Sequence, residues 1–137
     1  MDEARPDPEL TAQVAAAAPF TAFLGIEVVS ASPQEVRARL AWSEDRCTAG
    51  GILHGGALMG LADNAGGFCA FLNLPAEARG TATIESKTNF FAAVRAGHVH
   101  ATSRPLHVGR RTIVVDTELH DDAGTLVARV TQTQAVL

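Results

Sequence analysis

The sequence predicts an α+β domain in which one antiparallel sheet packs against a single long helix. Two observations carry that expectation. An apolar, glycine-rich stretch runs over residues 53–72, too long for a strand and poor in β-branched residues. Six shorter stretches with strand character surround it, two before and four after. Strands joined by tight turns are antiparallel. One helix beside a whole sheet must bury its apolar side against it.

The elements follow in order. Residues 1–8 hold two prolines and three acids and are expected to lack fixed structure. An alanine-rich helix is expected over 9–18, ended by Pro19. Residues 21–25 lead into a strand at 26–30, and Ser32-Pro33-Gln34 is a turn. Residues 35–42 alternate, with Val36, Ala38, Leu40 and Trp42 on one face and Glu35, Arg37 and Arg39 on the other. That is a half-buried strand, and 43–51 is a polar, glycine-ended loop. The helix at 53–72 contains five glycines, which cost propensity but permit close packing. Its apolar residues lie nearly all round, which predicts burial on most sides. Strands are expected at 81–91, 98–106, 111–120 and 126–136. Asp121-Asp122-Ala123-Gly124 forms the last hairpin turn.

Composition excludes several classes of function. The chain has 137 residues, enough for one domain, and 47% of them are hydrophobic. Mean hydropathy is +0.11, generous for a small soluble chain, so some apolar surface is expected to meet another subunit. A net charge of −4 argues against a nucleic-acid footprint. Two cysteines without a CxxC pair suggest idle thiols in a reducing compartment. The N-terminus lacks the order of a signal peptide. His54, Asp63 and Asn64 interrupt the longest apolar stretch, so no bilayer span is expected. A cytoplasmic protein without membrane or nucleic-acid partners is the expectation.

His54 and Asp63 lie nine residues apart on the long segment. On a helix that spacing puts them on opposite faces and about 13 Å apart along the axis. One helix cannot bring both to a single substrate atom, whereas two copies packed antiparallel can. A carboxylate on an apolar helix is paired, or its pKa rises. Asp63 is therefore a candidate nucleophile or general base, or else a structural cap. The N–H groups of Gly55 and Gly56 open the helix and lack intrahelical acceptors. Such donors suit an oxyanion hole, although the same glycines also serve simply to tighten the turn. His54, a lone histidine at a helix start, is given a supporting role. Residues 50–56 lack the Gly-Lys-Ser/Thr ending of a phosphate loop. His98 and His100 share a strand face without an evident third ligand, so no metal is expected.

The string Leu53-His54-Gly55-Gly56, followed after six residues by Asp63, resembles the hotdog-fold thioesterases of the phenylacetate-pathway (PaaI-like) group. The stretch Thr83-Ile84-Glu85-Ser86-Lys87-Thr88-Asn89-Phe90-Phe91 and the glycines before the later strands resemble the same family. The likeness runs from Phe20 to the C-terminus, so 20–137 reads as the domain and 1–19 as a tail with a short helix. The resemblance implies a curved antiparallel sheet wrapped around the helix, paired edge to edge in a dimer at least and a tetramer by family habit. It implies an acyl-CoA thioesterase with Asp63 as nucleophile or general base and the partner's Gly55 N–H as oxyanion hole. Gly56 lies beside it at the substrate, and Thr83 helps place the water. Thr48 is a departure, since the family often has Asn or Gln there. A hydroxyl can still donate, with shorter reach. Arg110 and Arg111, with Arg104 or Lys87, are candidates for coenzyme A phosphates, or solvated edge charges. Phe68, Phe71, Phe90 and Phe91 are expected in core or interface, and Phe90 is a candidate for the acyl pocket. Coenzyme A is part of the substrate, and no separate cofactor is implied. A hydratase or dehydratase on the same fold, or a non-catalytic acyl-CoA-binding protein, are the alternatives.

Overall fold

The computed structural model describes residues 4–137. Helix α1 spans Pro8–Ala17 and begins where Asp7 accepts from the Leu10 N–H. It is tied down at its start. The Asp7 N–H donates to the Val28 carbonyl, and Thr11 Oγ1 accepts from the Val28 N–H at 2.9 Å. Pro19 ends α1 as expected, but it also starts a short helix α2, Phe20–Leu24. Proline's fixed φ is already helical, so the residue that stops one helix can begin the next. The expected direct run into the first strand is thereby replaced by a helical turn.

Six strands follow around one helix. They are β1 Glu27–Ala31, β2 Val36–Ala41, β3 Thr81–Phe90, β4 His98–Val108, β5 Thr112–Asp121 and β6 Leu126–Val136. Helix α3, Gly55–Leu72, lies between β2 and β3 in sequence. All pairs are antiparallel, and the curved sheet has the order β1-β2-β4-β5-β6-β3. The chain leaves β2, passes through α3, and resumes at the far edge with β3.

The alternation seen in the sequence explains the core. Val36, Ala38 and Leu40 of β2, Val99 and Ala101 of β4, and Ile113, Val115 and Leu119 of β5 all face inward and are buried. Leu58, Leu61, Ala62, Ala65 and Cys69 of α3 meet them. Burying one such leucine or isoleucine contributes about 1.5–3 kcal/mol. Contrary to the expected burial on most sides, α3 leaves a stripe open in the single chain, running through Gly56, Met59, Asp63 and Phe71. β3 is an exposed edge, with Ile84 and Phe90 open and Phe91 just beyond. Among the described residues no helix is long and apolar enough to cross a membrane.

One part of the inner face is polar. Ser103 and Thr117 share a hydrogen bond of 2.7 Å, and Gln132 and Gln134 of β6 are buried beside β3. Gly66 exists for this layer, because a Cβ there would collide with the Gln132 amide. Replacing Gly66 by Ala should therefore destabilise the fold by about 1–3 kcal/mol through overpacking, despite alanine's better helix propensity. Urea denaturation of the two proteins checks this, and an unchanged midpoint would contradict it.

Candidate active site

The site begins at the loop over residues 43–54. Gly50 and Gly51 have φ of +81° and +72°, a left-handed path that favours glycine. The Trp42 indole donates to the Gly51 carbonyl at 3.0 Å, and Arg95 donates to the Gly50 carbonyl at 3.1 Å. The Leu53 N–H donates to Val94, and the His54 N–H to Arg46, each at 2.9 Å. The loop is thus held from both sides. Thr48 stands on it with its side chain exposed, and its N–H donates to the Ile52 carbonyl.

His54 is the N-cap of α3. Its Nδ1 accepts the Gly56 N–H at 2.8 Å, and its carbonyl accepts from Ala57 and Leu58. In the neutral ring the proton then resides on Nε2. The Gly56 N–H is engaged inside the chain, which differs from the expectation that it faces substrate. Among the described residues nothing accepts from the Gly55 N–H. It is an orphan donor at the positive end of an 18-residue helix. The ring of Phe90 lies against Gly55, close enough that an added Cβ would sit 3.1 Å from Cζ. Structure thereby joins Gly55, His54 and Phe90 at one end of α3.

Asp63 lies two turns further on, about 12 Å along the axis from Gly55. It opens on a cleft of about 640 Å³. Thr83, Gln134, Phe68 and Phe71 line that cleft, together with Val14 and Ala17 of α1. No hydrogen bond or ion pair engages the Asp63 carboxylate among the described residues. Although its side chain reaches solvent through the cleft mouth, desolvation by the surrounding walls raises the carboxyl above its ordinary value. Thr83 stands immediately before an irregularity in the β3–β6 register, where Ile84 is the extra residue. Bulges at sheet edges re-aim side chains in this way.

Thr48, Gly55, His54 and Phe90 do not line the Asp63 cleft, and neither do Arg110 and Arg111. The two arginines border a separate cavity of about 630 Å³ with His107, Gly109 and Thr112, in the β4–β5 hairpin. No carboxylate pairs with either arginine among the described residues, whereas Arg104 is bound to Glu35 at 2.7 Å and Lys87 donates to Asn89. His100 binds Asp122, which also accepts from the His98 N–H and is held below its usual pKa chiefly by the His100 bond. Among the described residues no group of three or more His, Cys, Asp or Glu is placed to hold a metal.

Gln132 and Gln134 were not legible as site residues. Both belong to the alternation of Ala128 and Val130, and extending its parity points them inward. Their polarity hides that signal, because buried glutamine is acceptable only when its amide is bonded. The α1 wall was also missed, since an alanine-rich helix carries no chemical cue.

The family model described as the thioesterase superfamily matches residues 50–128, more than half of the chain. The chain belongs to the thioesterase superfamily. A structure of thioesterase PA1618 from Pseudomonas aeruginosa superposes with a TM-score of 0.86 at 27% identity, covering 98% of this chain and 96% of that one. A structure of phenylacetic acid degradation protein PaaI from Thermus thermophilus gives 0.79 at 28% identity, covering 87% and 99%. The 1,4-dihydroxy-2-naphthoyl-CoA hydrolase of Escherichia coli is 33% identical over 87 residues, 64% of this chain and 63% of that protein. This member of the thioesterase superfamily is thus a thioester hydrolase of hotdog fold, and the expected PaaI-like group fits its neighbours.

The Asp63 environment sets a stability prediction. A raised carboxyl pKa means that the native fold disfavours the ionised form. The penalty is absent below the ordinary value of 3.8, grows as pH rises from there toward the raised value, and is complete above it. Asp63→Asn should therefore unfold at a higher temperature than wild type at pH 7. The difference should vanish on acidification below the ordinary value of 3.8. Thermal melts across that range test it, and a pH-independent difference would count against it.

Proposed function

We propose that two copies of this chain form the working unit and hydrolyse an acyl-CoA thioester at each of two shared clefts. One observation carries the reading. Among the described residues neither Asp63 nor the Gly55 N–H has a partner, and both sit on one rigid helix that holds them apart. Each is complete chemically only when a second copy supplies the other. The free β3 edge, with Ile84 and Phe90 exposed, suits edge-to-edge pairing of two sheets. The tetramer that the resemblance implies would join two such units.

In this mechanism Asp63 acts as general base, a task for which a carboxyl pKa above the usual range is suited. A water gives one proton to Asp63, and its oxygen bonds to the thioester carbonyl carbon. The partner's Gly55 N–H stabilises the oxyanion that forms. The tetrahedral species collapses, the C–S bond breaks, and Asp63 returns the proton to the coenzyme A sulfur. A free carboxylic acid and the thiol leave. His54 holds the helix start in place, Thr83 positions the water, and Thr48 donates from the loop. Phe90 and Phe71 supply apolar walls for the acyl group. The name of the E. coli relative, a CoA hydrolase, supports coenzyme A as the thiol portion. Arg110 and Arg111, which have no carboxylate partner among the described residues, bind its phosphates.

Two measurements test this. Thiol release from a panel of acetyl-, octanoyl-, benzoyl- and phenylacetyl-CoA should fall in Asp63→Asn by about 10²-fold or more. In wild type, kcat/KM should drop as pH falls through a value above 3.8, since the base must be ionised. Equal rates in both proteins would refute the assignment. The double variant Arg110→Ala/Arg111→Ala should raise KM for CoA esters about tenfold, the cost of one or two charge-assisted hydrogen bonds. KM for the matching pantetheine ester, which lacks the nucleotide phosphates, should not change. Equal effects on both esters would remove the arginines from phosphate binding.

A further inference from the structure

A chain of side-chain amides runs beneath the cleft, from the helical turn that carries Asp63 to the strand that carries Thr83. Gln132 Nε2 donates to the Ala62 carbonyl at 3.2 Å. Gln134 Nε2 donates both to Gln132 Oε1 and to Thr83 Oγ1, the latter at 2.7 Å. Both glutamines are essentially inaccessible, at 0% and 2% exposure, while Thr83 is open to the cleft. Thr83 and Gln134 are direct cross-strand partners.

The direction of this chain has a single solution. The Ala62 carbonyl can only accept, so Gln132 must present its NH2 group there. Its oxygen then faces Gln134, which must answer with its own NH2 group. The second hydrogen of that group goes to Thr83 Oγ1. Thr83 is therefore an acceptor toward the protein, and among the described residues nothing accepts its hydroxyl hydrogen. A free threonine hydroxyl rotates and either donates or accepts. Here Gln134 takes one lone pair, and the hydroxyl hydrogen, without an acceptor among the described residues, is free for the cleft.

We propose that Gln132 and Gln134 are positioning residues that hold Thr83 with its hydroxyl hydrogen directed to the water activated by Asp63. The proposal rests on the thioester hydrolysis set out above. Such a water has one proton on Asp63, one lone pair occupied by the Thr83 hydroxyl, and the other lone pair aimed at the carbonyl carbon. The anchor on Ala62, next to Asp63, also ties the base and the donor to one frame. A bulge at Ile84 turns Thr83 to this use. Gly66 leaves the room that the Gln132 amide occupies.

The test is a double-mutant cycle on the best ester of the same panel, combining Gln134→Met and Thr83→Val. Each single change should lower kcat about tenfold, the worth of one well-placed hydrogen bond, with KM within about twofold. Adding Gln134→Met to Thr83→Val should cost nothing more, and Thr83→Ser should restore most of the rate. Multiplicative losses, or an unaffected Gln134→Met, would overturn the relay. If Gln134→Met fails to fold, Gln134→Leu, which likewise lacks any donor, should show the same loss; wild-type kcat in that variant would overturn the idea. A second readout needs no turnover. The Gln134 side-chain amide protons should exchange slowly in an NMR experiment, and one should shift in Thr83→Val. Exchange as fast as that of the exposed Gln13 would overturn the relay. If wild type hydrolyses no ester in the panel, the hydrolase reading fails, and the NMR result still decides the relay.

Discussion

Helix α3 is one continuous rod of 18 residues, and its pitch sets how far apart its polar groups stand. No loop motion can bring Asp63 to the Gly55 N–H of the same chain. Both ends of the proposed chemistry are built on this rod, so the rest of the architecture serves to present it. The sheet buries one side of the helix and leaves a stripe with Asp63 open. The edge strand β3 carries Thr83 to the cleft that Asp63 opens on and Phe90 toward the helix start. In the proposed mechanism a second copy answers both the spacing of the polar groups on α3 and the exposed β3 edge.

The inner face of the sheet changes character across its width. Under β2, most of β4 and β5 and the start of β6 it is aliphatic, whereas Ser103 of β4, Thr117 of β5 and Gln132 and Gln134 of β6 form a polar layer. Burying an unbonded amide costs a few kcal/mol, so this layer persists only because its partners meet. Gln132 is bonded to Ala62 and Gln134, and Gln134 to Thr83. The helix approaches closely enough for the first of these bonds because position 66 has no side chain. Packing and polarity are therefore linked. The contact that seats α3 on the sheet also orients the threonine at the cleft.

Much of this protein was readable residue by residue. The strands were marked by the alternation of Val36, Ala38 and Leu40 and of Ile113, Val115 and Leu119, which the structure buries as a set. The long helix was marked by length, even with its glycines. His54 was read as a support, and it is the N-cap that engages the Gly56 N–H. Helix α2 is not legible in the sequence, because Pro19 signals the end of one helix more strongly than the start of another. The wall made by Val14 and Ala17 was missed because small apolar residues look alike whether they face solvent, core or a cleft. Gln132 and Gln134 were missed because hydrophobic patterning treats a polar residue as outward-facing.

Local chemistry, by itself, determined the order of the six strands and the long helix, the motif from His54 to Asp63, and the distance between those two residues. Those follow from backbone periodicity and side-chain type, which act within a few residues. Tertiary structure alone decided that β3 crosses to the far edge beside β6, that α1 closes one side of the Asp63 cleft, and that two glutamines tie α3 to Thr83. Each of those depends on groups distant in the chain meeting across the core, where a hydrogen bond or a missing Cβ has meaning only once its partner is in place.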